Sequence, residues 1–202
     1  SIEPNLITDE VIEFVKQSKK FMPHFHIPMQ SGSDLVLGKM KRRYQTKLYR
    51  NKVEKIVSEI KDVCIGADVI VGFPGETQEE FNKTLNFIKG LPISYLHVFT
   101  YSERENTSAI LMDGIVDKQD RVGRSKQLRI LSNKLQRAFY EKYLNTEHTA
   151  LFEQEDKKGY LSGFTDNYIK IKIPFTTEIC RTKQRVKLIE IDADGIMKAE
   201  LL

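Results

Sequence analysis

Ala67-Asp68-Val69-Ile70-Val71-Gly72-Phe73-Pro74-Gly75-Glu76-Thr77-Gln78-Glu79-Glu80 is the stretch on which the fold turns. Its β-branched opening reads as a strand buried in a parallel sheet. A Pro-Gly turn follows and runs into a capping box, Thr77 to Glu80, so a helix starts directly after the strand. That helix carries Phe81, Leu85 and Ile88 on one side and stops at Gly90. Strand, short turn and helix in succession predict α/β architecture.

The flanking sequence repeats the pattern. Upstream, Thr8 can cap a helix with Asp9 and Glu10 in its first turn, and Pro23 closes that segment. His24 to Met29 reads as a short strand entering the loop Gln30-Ser31-Gly32-Ser33-Asp34, and Ser33 caps a brief helix through Met40. From Thr46, the apolar positions Leu48, Tyr49, Val53, Ile56, Val57 and Ile60 recur at helical spacing. Downstream, Tyr95 to Tyr101 reads as another strand. Three strands are fewer than the five or six of an average sheet. The expectation is part of a barrel with an open edge, through which the chain would self-associate.

Asp117 to Thr146 reads as one long basic helix, after which the grammar changes. Ala150–Glu153, Tyr160–Phe164, Tyr168–Ile173, Val186–Ile191 and Ile196–Leu201 are short β-rich runs, and Asp194-Gly195 is a hairpin signal. Five such strands imply a small β-barrel of a kind that often holds nucleic acid. The expected domains are 1–116, a partial (β/α) barrel; 117–146, a linking basic helix; and 147–202, an all-β barrel.

The chain has 202 residues, 40% hydrophobic and 30% charged, enough for real cores. No apolar run approaches the roughly 20 residues needed to cross a bilayer, and Ser1-Ile2-Glu3-Pro4 lacks the features of a secretory signal. Cys64 and Cys180 supply neither a disulfide framework nor a short metal-ligand spacing, so a reducing, cytoplasmic home with no membrane partner is expected. The missing initiator methionine hints at a piece of a longer protein. Net charge is only +4, but it is unevenly spread. From Lys39 to Lys55 eight Lys/Arg face one acid, Glu54; from Asp117 to Asn145 eight face three. Such islands can meet phosphates, although any basic run taken singly is more often a solvated helix face. Thr146 to Leu202 holds nine Lys/Arg against ten acids, poor support for a phosphate grip by the barrel alone.

Three loops follow the three strands on the carboxyl side, where parallel α/β folds place their ligands. Gln30 and Ser31 offer an amide and a hydroxyl for a polar ligand. Gly72, Phe73 and Pro74 allow close backbone approach to a flat one. Thr100 and Tyr101 form the third loop, and Arg42 can clamp a carboxylate through its planar fork. Singly, each is no more than an ordinary turn or surface charge; their recurrence after successive strands gives them weight. His24, His26 and His97 could in principle bind metal, but on strands in an apolar setting they are expected as core or loop histidines making one hydrogen bond each, and no metal site is expected.

His26-Ile27-Pro28-Met29-Gln30-Ser31-Gly32-Ser33-Asp34, Met40-x-Arg42-x-Tyr44, Asp68 to Thr77, and Phe99-Thr100-Tyr101-Ser102, in this order, resemble the radical S-adenosylmethionine methylthiotransferases. Gln-Ser-Gly-Ser resembles the tRNA-modifying branches. Ser1-Ile2-Glu3-Pro4 and the lead-in Phe21 to His26 look most like the branch acting on threonylcarbamoyladenosine, with the isopentenyladenosine branch as the alternative. The trailing segment is similar to the family's TRAM domain. The resemblance implies a partial TIM-like radical SAM barrel followed by a TRAM barrel, with S-adenosylmethionine and tRNA as partners. It also implies two 4Fe-4S clusters in the full enzyme, one to generate an adenosyl radical and one to deliver sulfur. Gln30 and Ser31 would face the ribose or methionine of the cofactor, Arg42 its carboxylate, and Gly72, Phe73, Pro74, Thr100 and Tyr101 the adenine and substrate side. Arg121, Arg124, Lys126, Arg129 and Tyr168 are the expected RNA contacts. One departure stands out. The CxxxCxxC loop that cluster ligation requires is absent, so this chain alone is expected to be inactive. A non-enzymatic RNA-binding module is the rival reading.

Overall fold

The computed structural model describes residues 1–155 and 159–202. It contains two compact units, one of residues 1–17 and 25–135, the other of 18–24 and 136–202.

The first unit is built on three parallel strands in the order β1 (His24–His26), β2 (Cys64–Val71), β3 (Tyr95–Thr100). β2 and β3 pair from Gly66 opposite Tyr95 to Val71 opposite Thr100. β1 is shorter than expected, but its pairing continues: Ile27 N–H donates to Gly66 O at 2.9 Å, and Ile70 N–H to Gln30 O at 2.9 Å. Successive side chains leave opposite faces. Phe25, Ile27, Met29, Ile65, Ala67, Val69, Val71 and Leu96 form one buried face. It packs on α3 (Thr46–Glu59) through Tyr49, Val53 and Ile56, on α4 (Gln78–Lys89) through Phe81 and Ile88, and on Leu128 of α5 (Lys118–Glu141). The other face carries His26, Gln30, Asp68, Ile70, His97 and Phe99, none of them fully buried.

The helix starts follow their caps. Ser33 Oγ accepts from Val36 N–H at 3.2 Å to begin α2 (Asp34–Lys39), and Thr77 Oγ1 accepts from Glu80 N–H at 3.3 Å to begin α4. The reciprocal arm of the capping box does not form. Glu80 instead accepts from the Ser33 hydroxyl and from Lys83 Nζ at 2.8 Å, which ties α4 to the Gln30–Asp34 loop. The first helix, α1 (Asp9–Gln17), ends well before Pro23.

α5 is not the free basic linker that its composition suggests. Arg121, Arg124, Leu128 and Ser132, spaced by one helical turn, are all buried. Ser132 Oγ accepts from Leu96 N–H at 2.9 Å and donates to Leu96 O at 3.1 Å, bracing β3. The division between the units accordingly falls inside α5, after Leu135, rather than near Thr146.

The second unit is a closed barrel of β4 (Glu147–Glu155), β5 (Tyr160–Thr165), β6 (Lys170–Pro174), β7 (Lys183–Ile191) and β8 (Met197–Leu201), in the order β4-β5-β6-β8-β7. β4 pairs with β7 to close it. Phe152, Leu161, Ile171, Val186, Leu188 and Met197 fill the interior without exposure. Gly195, at φ +75°, turns the β7–β8 hairpin where Asp194-Gly195 predicts it.

Candidate functional site

A cavity of about 550 Å³ opens at the carboxyl ends of the three strands, within the size range of small-molecule sites. Gln30 from the first loop, Phe73 from the second, Thr100 and Tyr101 from the third, and Arg42 after α2 all line it. Phe73 and Tyr101 meet edge to face, ring centroids 5.3 Å apart. Gln30 holds φ +64° and Lys41 φ +56°, a left-handed backbone that costs a side-chain-bearing residue roughly 1–2 kcal/mol. Such strain at a pocket wall is characteristic of binding sites. Lys39, Lys41, Arg42 and Arg104 face a single acid, Asp68, across the lining, so the cavity favours an anionic group.

Two buried donors here lack partners among the described residues: Arg42 Nε and the Tyr101 hydroxyl. An unsatisfied buried donor costs about 1–3 kcal/mol, and a polar ligand removes that cost. Arg42 is partly engaged already, since its Nη1 donates to Glu3 Oε1 at 3.0 Å. These features fit S-adenosylmethionine, whose carboxylate and ribose oxygens can accept from both donors. An iron–sulfur cluster does not fit the residues of this chain. Cys64 is buried, and burial pushes its thiol up to about 12, away from the thiolate that ligation needs. Cys180 lies in the other unit and donates to Glu153 O at 3.2 Å.

Other expected site residues lie elsewhere. Ser31 is fully buried, sharing a 3.2 Å hydrogen bond with the Thr84 hydroxyl. Gly72 and Pro74 are buried and do not line the cavity. Gly72 instead permits packing: at φ +78°, a Cβ there would sit 2.3 Å from Arg121 Cγ. Its N–H donates to Glu76 Oε1 at 2.9 Å.

Arg121 and Arg124, expected to contact RNA, point inward. Arg121 donates to Val116 O, Tyr101 O and Glu103 Oε1, the last at 2.6 Å, and the guanidinium holds the Glu103 carboxyl below its usual range. Arg124 pairs with Glu76 at 2.6 Å, both side chains almost wholly buried. Burial pushes the Glu76 carboxyl up, against the pull of Gly72 N–H and Arg124. These arginines fasten the Pro-Gly turn and the third loop to α5, and both are buried away from any phosphate at the surface. Lys126 and Arg129 are exposed and border a groove beside Thr100. Tyr168 is 40% exposed, but its ring stacks on His24 at 3.8 Å and on Phe164 at 4.8 Å, so base stacking competes with contacts already made.

His26 and His97 are not isolated in an apolar setting. His26 Nε2 lies 2.8 Å, and His97 Nδ1 3.4 Å, from the same Asp68 Oδ1. Asp68, which also lines the cavity, was not singled out in the sequence. The one available signal was a carboxylate inside an otherwise apolar β-run.

A sequence model of the radical SAM superfamily matches residues 1–88. The threonylcarbamoyladenosine tRNA methylthiotransferase MtaB of Bacillus subtilis is 38% identical over 94% of this chain and 43% of its own length. The protein of that name from Rickettsia prowazekii is 36% identical over the whole chain and 46% of its own length. The tRNA-2-methylthio-N(6)-dimethylallyladenosine synthase of Clostridium tetani is 40% identical over 81% of the chain and 36% of its own length. The chain thus spans less than half the length of these relatives. Among solved structures, the radical SAM coproporphyrinogen III oxidase of Escherichia coli superposes with a TM-score of 0.56 at 16% identity, over 66% of this chain and 31% of its own, a likeness of fold. Residues 1–88, which include the first two strands of the parallel sheet, thus match the radical SAM superfamily, and over most of its length the chain is similar to the tRNA methylthiotransferases.

Proposed function

We propose that this chain works within a tRNA methylthiotransferase that adds a methylthio group to a hypermodified adenosine, N6-threonylcarbamoyladenosine, by radical S-adenosylmethionine chemistry. One observation carries the reading: Gln30, Arg42, Phe73, Thr100 and Tyr101, from four separate segments, meet at one cavity with two buried donors unpaired. In this reading S-adenosylmethionine supplies the oxidising adenosyl group when bound. Arg42 Nε and the Tyr101 hydroxyl hold its polar oxygens, Gln30 orients it, and Phe73 shields one side from water. The cluster cysteines lie outside this sequence, so the chain alone is inactive in this reading. The 147–202 barrel acts as a TRAM-type RNA-binding domain, and Lys126 and Arg129 reach tRNA phosphates.

Mass spectrometry of tRNA from cells lacking the gene tests the substrate. Loss of the methylthio group from threonylcarbamoyladenosine supports the proposal. Loss from isopentenyladenosine transfers the assignment to the dimethylallyladenosine branch, and no loss from either leaves the RNA-binding module as the reading. Reconstitution of this chain with iron and sulfide to a stoichiometric cluster would overturn its inactivity.

A further inference from the structure

His26, Asp68 and His97 lie in a row across β1, β2 and β3 on the open face of the sheet. Asp68 and His97 are direct register partners, and Ile27 beside His26 hydrogen-bonds to Gly66 on β2. One ligand atom from each residue falls within 4.8 Å of the other two. The two imidazoles meet edge to face with centroids 4.9 Å apart.

We propose that these three side chains form a binding site for a divalent transition metal of the zinc class, with an open coordination position. Two imidazoles and one carboxylate are a donor set that such ions accept. Ligand bonds of about 2.0–2.2 Å put neighbouring donor atoms about 3–3.5 Å apart around one ion; the 2.8 and 3.4 Å separations from Asp68 Oδ1 need shifts of a few tenths of an ångström, and the two ring nitrogens, within 4.8 Å of each other, close by rotation of the half-exposed His97 ring. A ligating imidazole fixes its second nitrogen by a hydrogen bond, and His26 Nδ1 has one within reach in Ser1 Oγ at 3.3 Å. The His97 side chain is half exposed, which gives an ion an entry path. Because Asp68 also borders the cavity, the open position takes water or a small anion from there. The site uses no cysteine, and its test does not depend on the proposed transferase activity.

Calorimetric titration of the chelator-treated full chain with Zn2+, and visible spectroscopy with Co2+, test this without iron, S-adenosylmethionine or tRNA. The expected result is one ion per chain, with the absorption bands of a nitrogen- and oxygen-ligated cobalt centre. His97→Ala removes a half-exposed ring, and Asp68→Asn keeps an oxygen acceptor but removes the charge. Each should weaken binding at least about tenfold, since even outer-shell changes at metal sites cost 10–100-fold, while the circular dichroism spectrum stays unchanged. Absence of a stoichiometric ion, or parental affinity in either variant, overturns the site and leaves a hydrogen-bonded His–Asp–His row.

Discussion

The open sheet and the closed barrel put their strand faces to different uses. In the first unit, β2 sends Val69 and Val71 into the apolar core and Asp68 and Ile70 toward the cavity. The sheet therefore has a face to spare for polar chemistry, where a strained Gln30 and unpaired donors collect. In the second unit, closure turns one side of every strand inward, and Phe152, Leu161, Ile171 and Val186 fill it. Two buried polar contacts there hold the barrel itself: Lys172 pairs with Asp192, and Thr165 donates to Asn167 at 2.6 Å. Closure removes strand edges and leaves function to the outer surface, whereas the open sheet keeps a pocket.

This contrast can be broken one unit at a time, with hydrogen exchange reporting each separately. The largest effect is expected from Glu76→Ala, which leaves the buried Arg124 without its carboxylate. Losing one partner of a buried pair costs about 3–5 kcal/mol, so protection should collapse in the sheet unit and persist in the barrel. Phe152→Ala should do the converse, removing about 3–5 kcal/mol from the barrel through a core cavity. Gly72→Ala should cost the sheet unit about 2 kcal/mol or more, from the left-handed backbone and the displaced Arg121 side chain.

Asp192 sharpens the barrel's side of the comparison through pH. Lys172 holds its carboxyl below the usual range. The stability this adds is fully present above the unfolded value of about 3.8 and is lost as pH falls through the lower folded value. Barrel protection in the parent should decline across that acid window, and Asp192→Asn should flatten the decline. Tyr101→Phe should have the smallest effect, a gain of about 1 kcal/mol in the sheet unit, because it removes a buried hydroxyl that has no partner among the described residues.

What the sequence made legible was local. The strand–turn–helix at 67–90, the caps at Ser33 and Thr77, and the Asp194-Gly195 hairpin each depend on residues a few positions apart. What it concealed depends on register and distant partners. Arg124 finds Glu76 across 48 positions and Arg121 finds Glu103 across 18, so a stretch that reads as a basic helix face is half committed inward. The Asp68–His97 pairing exists only because β2 and β3 align in one register. Of the cavity residues, those on loops announced themselves by composition. Ser31 and Gly72 belong to the same motifs but serve packing, a difference set by which way each backbone turns.

Loops from separate strands share one cavity, and we propose an adenosyl-sulfonium ligand for it. Titration of the isotope-labelled chain with S-adenosylmethionine, followed by NMR, tests it directly. Saturable shifts centred on Gln30, Arg42, Phe73, Thr100 and Tyr101, reduced in Tyr101→Phe, are expected. Shifts scattered over both units, or none at millimolar ligand, would contradict it.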